Sequence, residues 1–244
     1  MSERGKIIVG TSGWNYDHWK GSFYPPELKQ KEWLDYYAGR LTTVEINNSF
    51  YNLPSEKTFR KWAEMVPPGF IFSIKASRYI THMKKLKDPR EPLERFLDRI
   101  EVLEERQGPV LFQLPPHWNA NPERLEAFLD ELSGNIRSTF EFRDRSWWND
   151  RIYGILEERN AAFCIFHLTG EQSPKEVTAD FVYIRLHGPA DAYEGLYDKE
   201  TLSGWAGAAS AWAASGKDVY IYFDNDQNGY AAMNAMQLRE MTER

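Results

Sequence analysis

"VYIRLH", residues 182–187, alternates strictly: Val182, Ile184 and Leu186 fall on one parity, and Tyr183, Arg185 and His187 on the other. Successive side chains of a strand point to opposite faces. This segment therefore offers hydrocarbon on one side and a phenol, a guanidinium and an imidazole on the other. The same division recurs along the chain. In "TVEIN" (43–47) Val44 and Ile46 oppose Glu45 and Asn47, and in "IFSIK" (71–75) Phe72 and Ile74 oppose Ser73 and Lys75. "LFQL" (111–114) sets Phe112 and Leu114 against Gln113. "TFEFR" (139–143) sets Phe140 and Phe142 against Thr139, Glu141 and Arg143, and "IYFD" (221–224) sets Ile221 and Phe223 against Tyr222 and Asp224.

With the runs that begin at Ile7 and Ala161, these segments make eight strands. Helical periodicity fills most of the gaps between them. Leu93, Phe96, Leu97, Ile100 and Leu103 share a face; Asn121-Pro122 is a cap and first-turn pair for Leu125, Phe128, Leu129 and Leu132; Leu202, Trp205, Ala209, Trp212 and Ala213 form a stripe closed by Gly216. Residues 168–180, "LTGEQSPKEVTAD", leave too little room for a full crossover helix, so the sixth unit is expected to be degenerate. Eight βα units in 244 residues, with no linker or repeat to divide them, predict an α/β fold with one (β/α)8 TIM-type barrel domain over residues 1–244. The main rival, a doubly wound open sheet, would want a glycine fingerprint after its first strand in its dinucleotide-binding form, and "VGTSGWNY" has none.

In a closed barrel alternate residues of each strand face the lumen. The polar parity is then the lumen parity, and its members lie toward the C-terminal strand ends, where sites of this fold are built. Glu45, Asn47, Lys75, Gln113, Glu141, Arg143, Arg185, His187 and Asp224 are expected to share one upper cup. Unmatched buried charges cost several kcal/mol each. A structural alternative has Glu45 paired with Lys75 and Arg185 with Asp224 on neighbouring strands.

Composition limits the partners. The formal charge is −6, which supplies no basic face for duplex nucleic acid or an anionic membrane. The single cysteine, Cys164, permits no intrachain disulfide or thiolate cluster, and no stretch nears the roughly 20 apolar residues of a membrane span. A cytoplasmic location is expected; the oligomeric state is not legible.

The ordered set "GTSGWNYDHWKGSFYP" (10–25), "VEINNSFYNLP" (44–54), "FSIKAS" (72–77), "LFQLPP" (111–116), "FEFRDRSW" (140–147), "YIRLHG" (183–188) and "YIYFDND" (220–226) resembles the domain of unknown function 72 family, the YecE-like proteins. The likeness runs from about Ile7 to Leu238. It implies a TIM-type barrel and carries no assigned reaction. Its motifs include Glu45, Asn47, Lys75, Gln113, Glu141, Arg143, Arg185 and His187, the same positions that strand parity selects. The family's last strand often ends in Asn-Asn, where this chain has Asp224-Asn225.

These residue types point to a small anionic or polyol ligand, such as a phosphorylated sugar or nucleotide fragment. Lys75, Arg143 and Arg185 supply positive charge, and the planar arginine fork suits phosphate or carboxylate. Asn47 and Gln113 are expected to orient the ligand, with Asp224 also in the cup. Glu141 and Glu45 are the expected acid–base pair of a metal-independent hydrolase, lyase or isomerase, with His187 as a proton carrier. Trp14 and Trp147 are candidate stacking walls. No cofactor and no metal are expected, since the three cations would crowd a dication and no H-E-x-x-H spacing occurs. Two alternatives stand beside this reading: a non-catalytic module for single-stranded nucleic acid or nucleotides, and a metal-dependent isomerase or phosphodiesterase.

Overall fold

The computed structural model describes residues 3–132, 136–189 and 191–243. The strands are β1 (Ile7–Ser12), β2 (Thr43–Ile46), β3 (Ile71–Lys75), β4 (Gln107–Gln113), β5 (Ser138–Glu141), β6 (Ala162–Leu168), β7 (Glu171–Gln172), β8 (Phe181–Leu186) and β9 (Asp218–Phe223). All but β7 run parallel and close into a barrel: β1 pairs with β2 and β9, and β5 joins β6 through Thr139 opposite Ala162 and Phe140 opposite Phe163. The two-residue β7 folds back antiparallel on the end of β6. No helix separates β6 from β8, so the sixth unit is indeed reduced, for want of chain length.

The helices are α1 (Trp33–Ala38), α2 (Asn48–Tyr51), α3 (Glu56–Glu64), α4 (Arg90–Glu101), α5 (Pro122–Glu131), α6 (Asp150–Glu158), α7 (Lys199–Ala214) and α8 (Tyr230–Thr242). Local chemistry sets their ends. The Asn121 side chain accepts from the Arg124 amide at 2.9 Å, with Pro122 in the first turn of α5. Beyond α7, Gly216 takes a φ of 88°, the left-handed conformation that ends helices without a Cβ clash. None of the described helices is long and apolar enough to cross a membrane.

The outward strand parity packs under the helices. Phe112 and Phe140 stack at 5.2 Å, Phe128 of α5 meets Phe112 edge-on at 5.1 Å, and Phe142 lies against Trp147 at 4.8 Å. Each such ring is fully buried and contributes about 1.5–3 kcal/mol by removal from water. The inward parity forms a second cluster: Leu111, Ala162, Cys164, Phe181, Tyr183, Tyr220 and Tyr222 fill the lower and middle lumen. The Tyr222 phenol sits 2.8 Å from the Thr43 hydroxyl, and the Tyr183 phenol 2.6 Å from that of Ser73. These phenols are the boundary between an apolar floor and the charged layer above.

Candidate functional site

Directly above the phenols lies Arg185, 1% exposed, with an acceptor for each of its five N–H groups. Nε and one Nη2 proton go to Glu45 Oε1 at 3.2 and 2.7 Å, and the other Nη2 proton goes to Asp224 Oδ2 at 3.1 Å. Nη1 reaches Glu141 Oε2 at 2.8 Å and His187 Nε2 at 3.3 Å. Glu45 is completed by the Ser12 hydroxyl at 2.7 Å and the Tyr183 phenol at 2.6 Å, both donating. Buried charge is tolerated here because each carboxylate meets a guanidinium and each N–H of Arg185 meets an acceptor.

Arg143, from just beyond β5, donates through Nε to Glu141 and through Nη2 to His187 Nε2 at 3.2 Å. Guanidinium groups only donate, so His187 Nε2 accepts and its Nδ1–H is directed to Asp224 Oδ2, 2.9 Å away. Burial alone would raise the Glu141 pKa, but the adjacent Arg143 and Arg185 outweigh it and hold the carboxyl well below its usual range. Asp224 is likewise lowered: burial would raise it, but Arg185, His187 and Lys75 together outweigh burial.

The β2–β3 side differs. Lys75 closes β3, its amine 4.4 Å from the centre of the Phe50 ring, and no carboxylate comes within salt-bridge distance among the described residues. Burial, reinforced by the charge of Arg185, brings its pKa down to about 8 despite the more distant Glu141, Glu45 and Asp224. His82, on the turn after β3, lies edge-on to the same ring at 5.0 Å. Burial and the positive charges of Lys75, Arg78 and Arg143 bring its pKa to about 4. The ladder pairs Glu45 with Ser73 and ends with Ile46 opposite Ile74; Asn47 follows β2 with helical dihedrals, and Lys75 closes β3. Asn47 Oδ1 is out of contact with solvent and has no hydrogen-bond partner among the described residues.

Strand parity thus gathers Glu45, Glu141, Arg143, Arg185, His187 and Asp224 into one bonded cluster. Asn47, Lys75 and Gln113 stand at the ends of β2, β3 and β4, partly exposed. The details depart from expectation in three ways. Arg185 does pair with Asp224, but Glu45 pairs with Arg185 and not with Lys75. Glu45 and Glu141 are bridged by Arg185, and both are fully buried. Glu141, kept ionised, is a poor general acid. Trp147 is 0% exposed, donates its indole N–H to the Trp118 carbonyl at 2.6 Å and belongs to the core, whereas Trp14 is partly exposed and meets Trp62.

Sequence reading passed over Ser12, Phe50, His82 and Tyr193. Ser12 shares the lumen parity of β1 and could have been found that way. Phe50 lies on the short α2 and His82 on the turn after β3, and no periodicity encodes their approach to Lys75. Tyr193 follows β8 and sets its ring edge-on to His187 at 5.7 Å, over the mouth. Among the described residues, no three His, Cys, Asp or Glu side chains converge as a metal-ligand group.

Comparison with known proteins agrees with this architecture. A DUF72 family protein of Thermotoga maritima superimposes with a TM-score of 0.88 at 31% identity, over 98% of this chain and 100% of that one. A DUF72 family protein of Enterococcus faecalis gives a TM-score of 0.80 at 20% identity, over 99% of each chain, a likeness of fold. The UPF0759 protein YunF of Bacillus subtilis is 26% identical over 269 residues, spanning 96% of this chain and 94% of its own length. The family model described as "Protein of unknown function DUF72" matches residues 8–244, and the protein belongs to that family.

Proposed function

We propose that the barrel mouth is an enzyme site for a small anionic ligand, whose phosphate or carboxylate group meets Lys75 and the remaining N–H groups of Arg143. The observation that carries this reading is the Lys75 amine: it lies 4.4 Å from the centre of the Phe50 ring with no carboxylate within salt-bridge distance among the described residues, and every carboxylate of the cup is engaged elsewhere. An anionic ligand supplies the missing counter-charge. Arg143 has five N–H groups and uses two within the protein, at Glu141 and His187. Lys75, Arg78 and Arg143 also act on His82 as positive charges, after burial, the larger cause of its lowered pKa.

An amine with a pKa near 8 is also matched to proton transfer close to neutral pH. In this reading Lys75 moves the proton, while Glu45, Glu141 and Asp224 position Arg185 and His187. The alternative roles of Glu45 and Glu141 as the acid–base pair would require Arg185 to leave the space between them.

The test is a thermal-shift screen of phosphate, phosphorylated sugars and nucleotides, with and without divalent ions, on the native chain and on Lys75→Met. A ligand at 100 times its Kd raises stability by about 2.7 kcal/mol, which melting detects readily. Stabilisation by an anion in the native chain and its loss in Lys75→Met is the expected result. Equal stabilisation of both proteins, or none of the native chain by any anion, refutes the assignment.

A further inference from the structure

Beside the cup, the loop after β1, the turn into α1 and helix α3 enclose a cavity of about 570 Å³. Two of its walls are Trp14 and Trp62, whose rings meet at right angles with centres 5.1 Å apart. Lys31 and Lys61 also line it, and no carboxylate does. Asn47 lines it as well, so this residue borders both the cavity and the Lys75 end of the cup.

Each feature restricts the occupant. Aromatic walls favour a flat ring, since stacking on them gains little from a free phosphate. Asn47, partly exposed, brings a side-chain amide to the wall, which can donate to or accept from a polar group on the ligand. Two lysines without an acid favour net negative charge. The volume lies within the range of small-molecule sites, about 300–1,000 Å³.

We infer that this cavity is the ring subsite of the ligand whose acid group occupies the cup. The ligand is a heteroaromatic phosphate of mononucleotide size: its ring lies against Trp14 and Trp62, with the Asn47 amide at its edge, and its phosphate meets Lys75. This rests on the reading of the cup as an anion site and adds the ring to it.

Titration calorimetry on the full chain tests the assignment with four probes: inorganic phosphate, ribose 5-phosphate, adenosine and adenosine 5′-monophosphate. The monophosphate is expected to bind at least about tenfold more tightly than ribose 5-phosphate, from the usual strength of base stacking. Trp62→Leu and Asn47→Ala should each erode that advantage and leave ribose 5-phosphate unchanged. Lys61→Glu, an exposed change that spares the packing, should weaken the monophosphate several-fold. Equal binding of the monophosphate and ribose 5-phosphate, or an advantage that survives Trp62→Leu and Asn47→Ala, overturns the ring subsite and leaves the anion site standing. Adenosine and its monophosphate binding equally, lost in Trp62→Leu and untouched in Lys75→Met, overturns the anion site and keeps the ring subsite. No binding of any probe overturns both.

Discussion

On the β8–β9 side of the mouth, Arg185 finds an acceptor for every N–H, whereas on the β2–β3 side, among the described residues, Lys75 finds no carboxylate within salt-bridge distance and Asn47 Oδ1 finds no donor. Arg185 and Lys75 are both placed by strand alternation, and Asn47 directly follows β2. The first group behaves as structure: its charges neutralise one another and hold one another's rotamers. The second holds unmet hydrogen-bonding and charge capacity, which in a folded protein calls for explanation by strain, water or function. In this barrel the contrast separates the residues that shape the cup from those that face its contents.

The contrast is broken most severely at Arg185. Arg185→Met leaves Glu45 buried without a counter-charge and Glu141 with Arg143 alone, and is expected to destabilise the fold by about 3–5 kcal/mol or to prevent folding. Urea unfolding measures this, and the triple change Arg185→Met, Glu45→Gln, Glu141→Gln should recover part of the loss. Little loss in the single variant would show the network to be slack.

Trp147 and Trp14 sharpen the comparison in the same way on the loops. Trp147→Ala removes a fully buried indole and should cost about 3–5 kcal/mol in urea unfolding. Trp14→Ala should cost distinctly less, because Trp14 is partly exposed, and its effect should instead be on ligand affinity. Equal losses would place both rings in the core.

Lys75 has the opposite sign. Its folded pKa, about 8, lies below its unfolded value, so the folded chain binds fewer protons than the unfolded chain between those two pH values. The penalty of its charge is present in full below about pH 8 and fades as pH rises toward 10.5. Lys75→Met is therefore expected to stabilise the ligand-free fold by about 1–2 kcal/mol at neutral pH, a few degrees in Tm, with the advantage vanishing in alkali. A lower Tm at neutral pH would mean that the amine is structurally paired. At the small end, Glu123→Gln breaks an exposed pair with Arg151 and should leave the melting curve unchanged.

How much of this was legible in the sequence depends on the range of the interaction. Strand alternation is local, so the barrel, the lumen parity and the membership of Glu45, Glu141, Arg185 and His187 in one cup could be read from short segments. The reduced sixth unit followed from counting residues between two strands. Partner choice is not local: Glu45 and Arg185 lie 140 residues apart in the chain, and nothing in either segment says that they bond across the lumen while Lys75, on the adjoining strand, is passed over. Trp147, expected as a stacking wall, was misplaced for the same reason, since it is buried against Trp118, whose loop follows β4. The cavity under Trp14 is built partly from α3, and periodicity gives no distance between a helix and a loop.

The most direct measurement is the titration of the lysine side chains by NMR, using ¹³Cε-labelled lysine and Lys75→Met to assign the signal. One lysine is expected to lose its proton near pH 8 in the ligand-free protein, and that signal should be absent from the variant. Titration of Lys75 above pH 10, with the other lysines, would contradict the account, because the amine would then be either solvated or already paired.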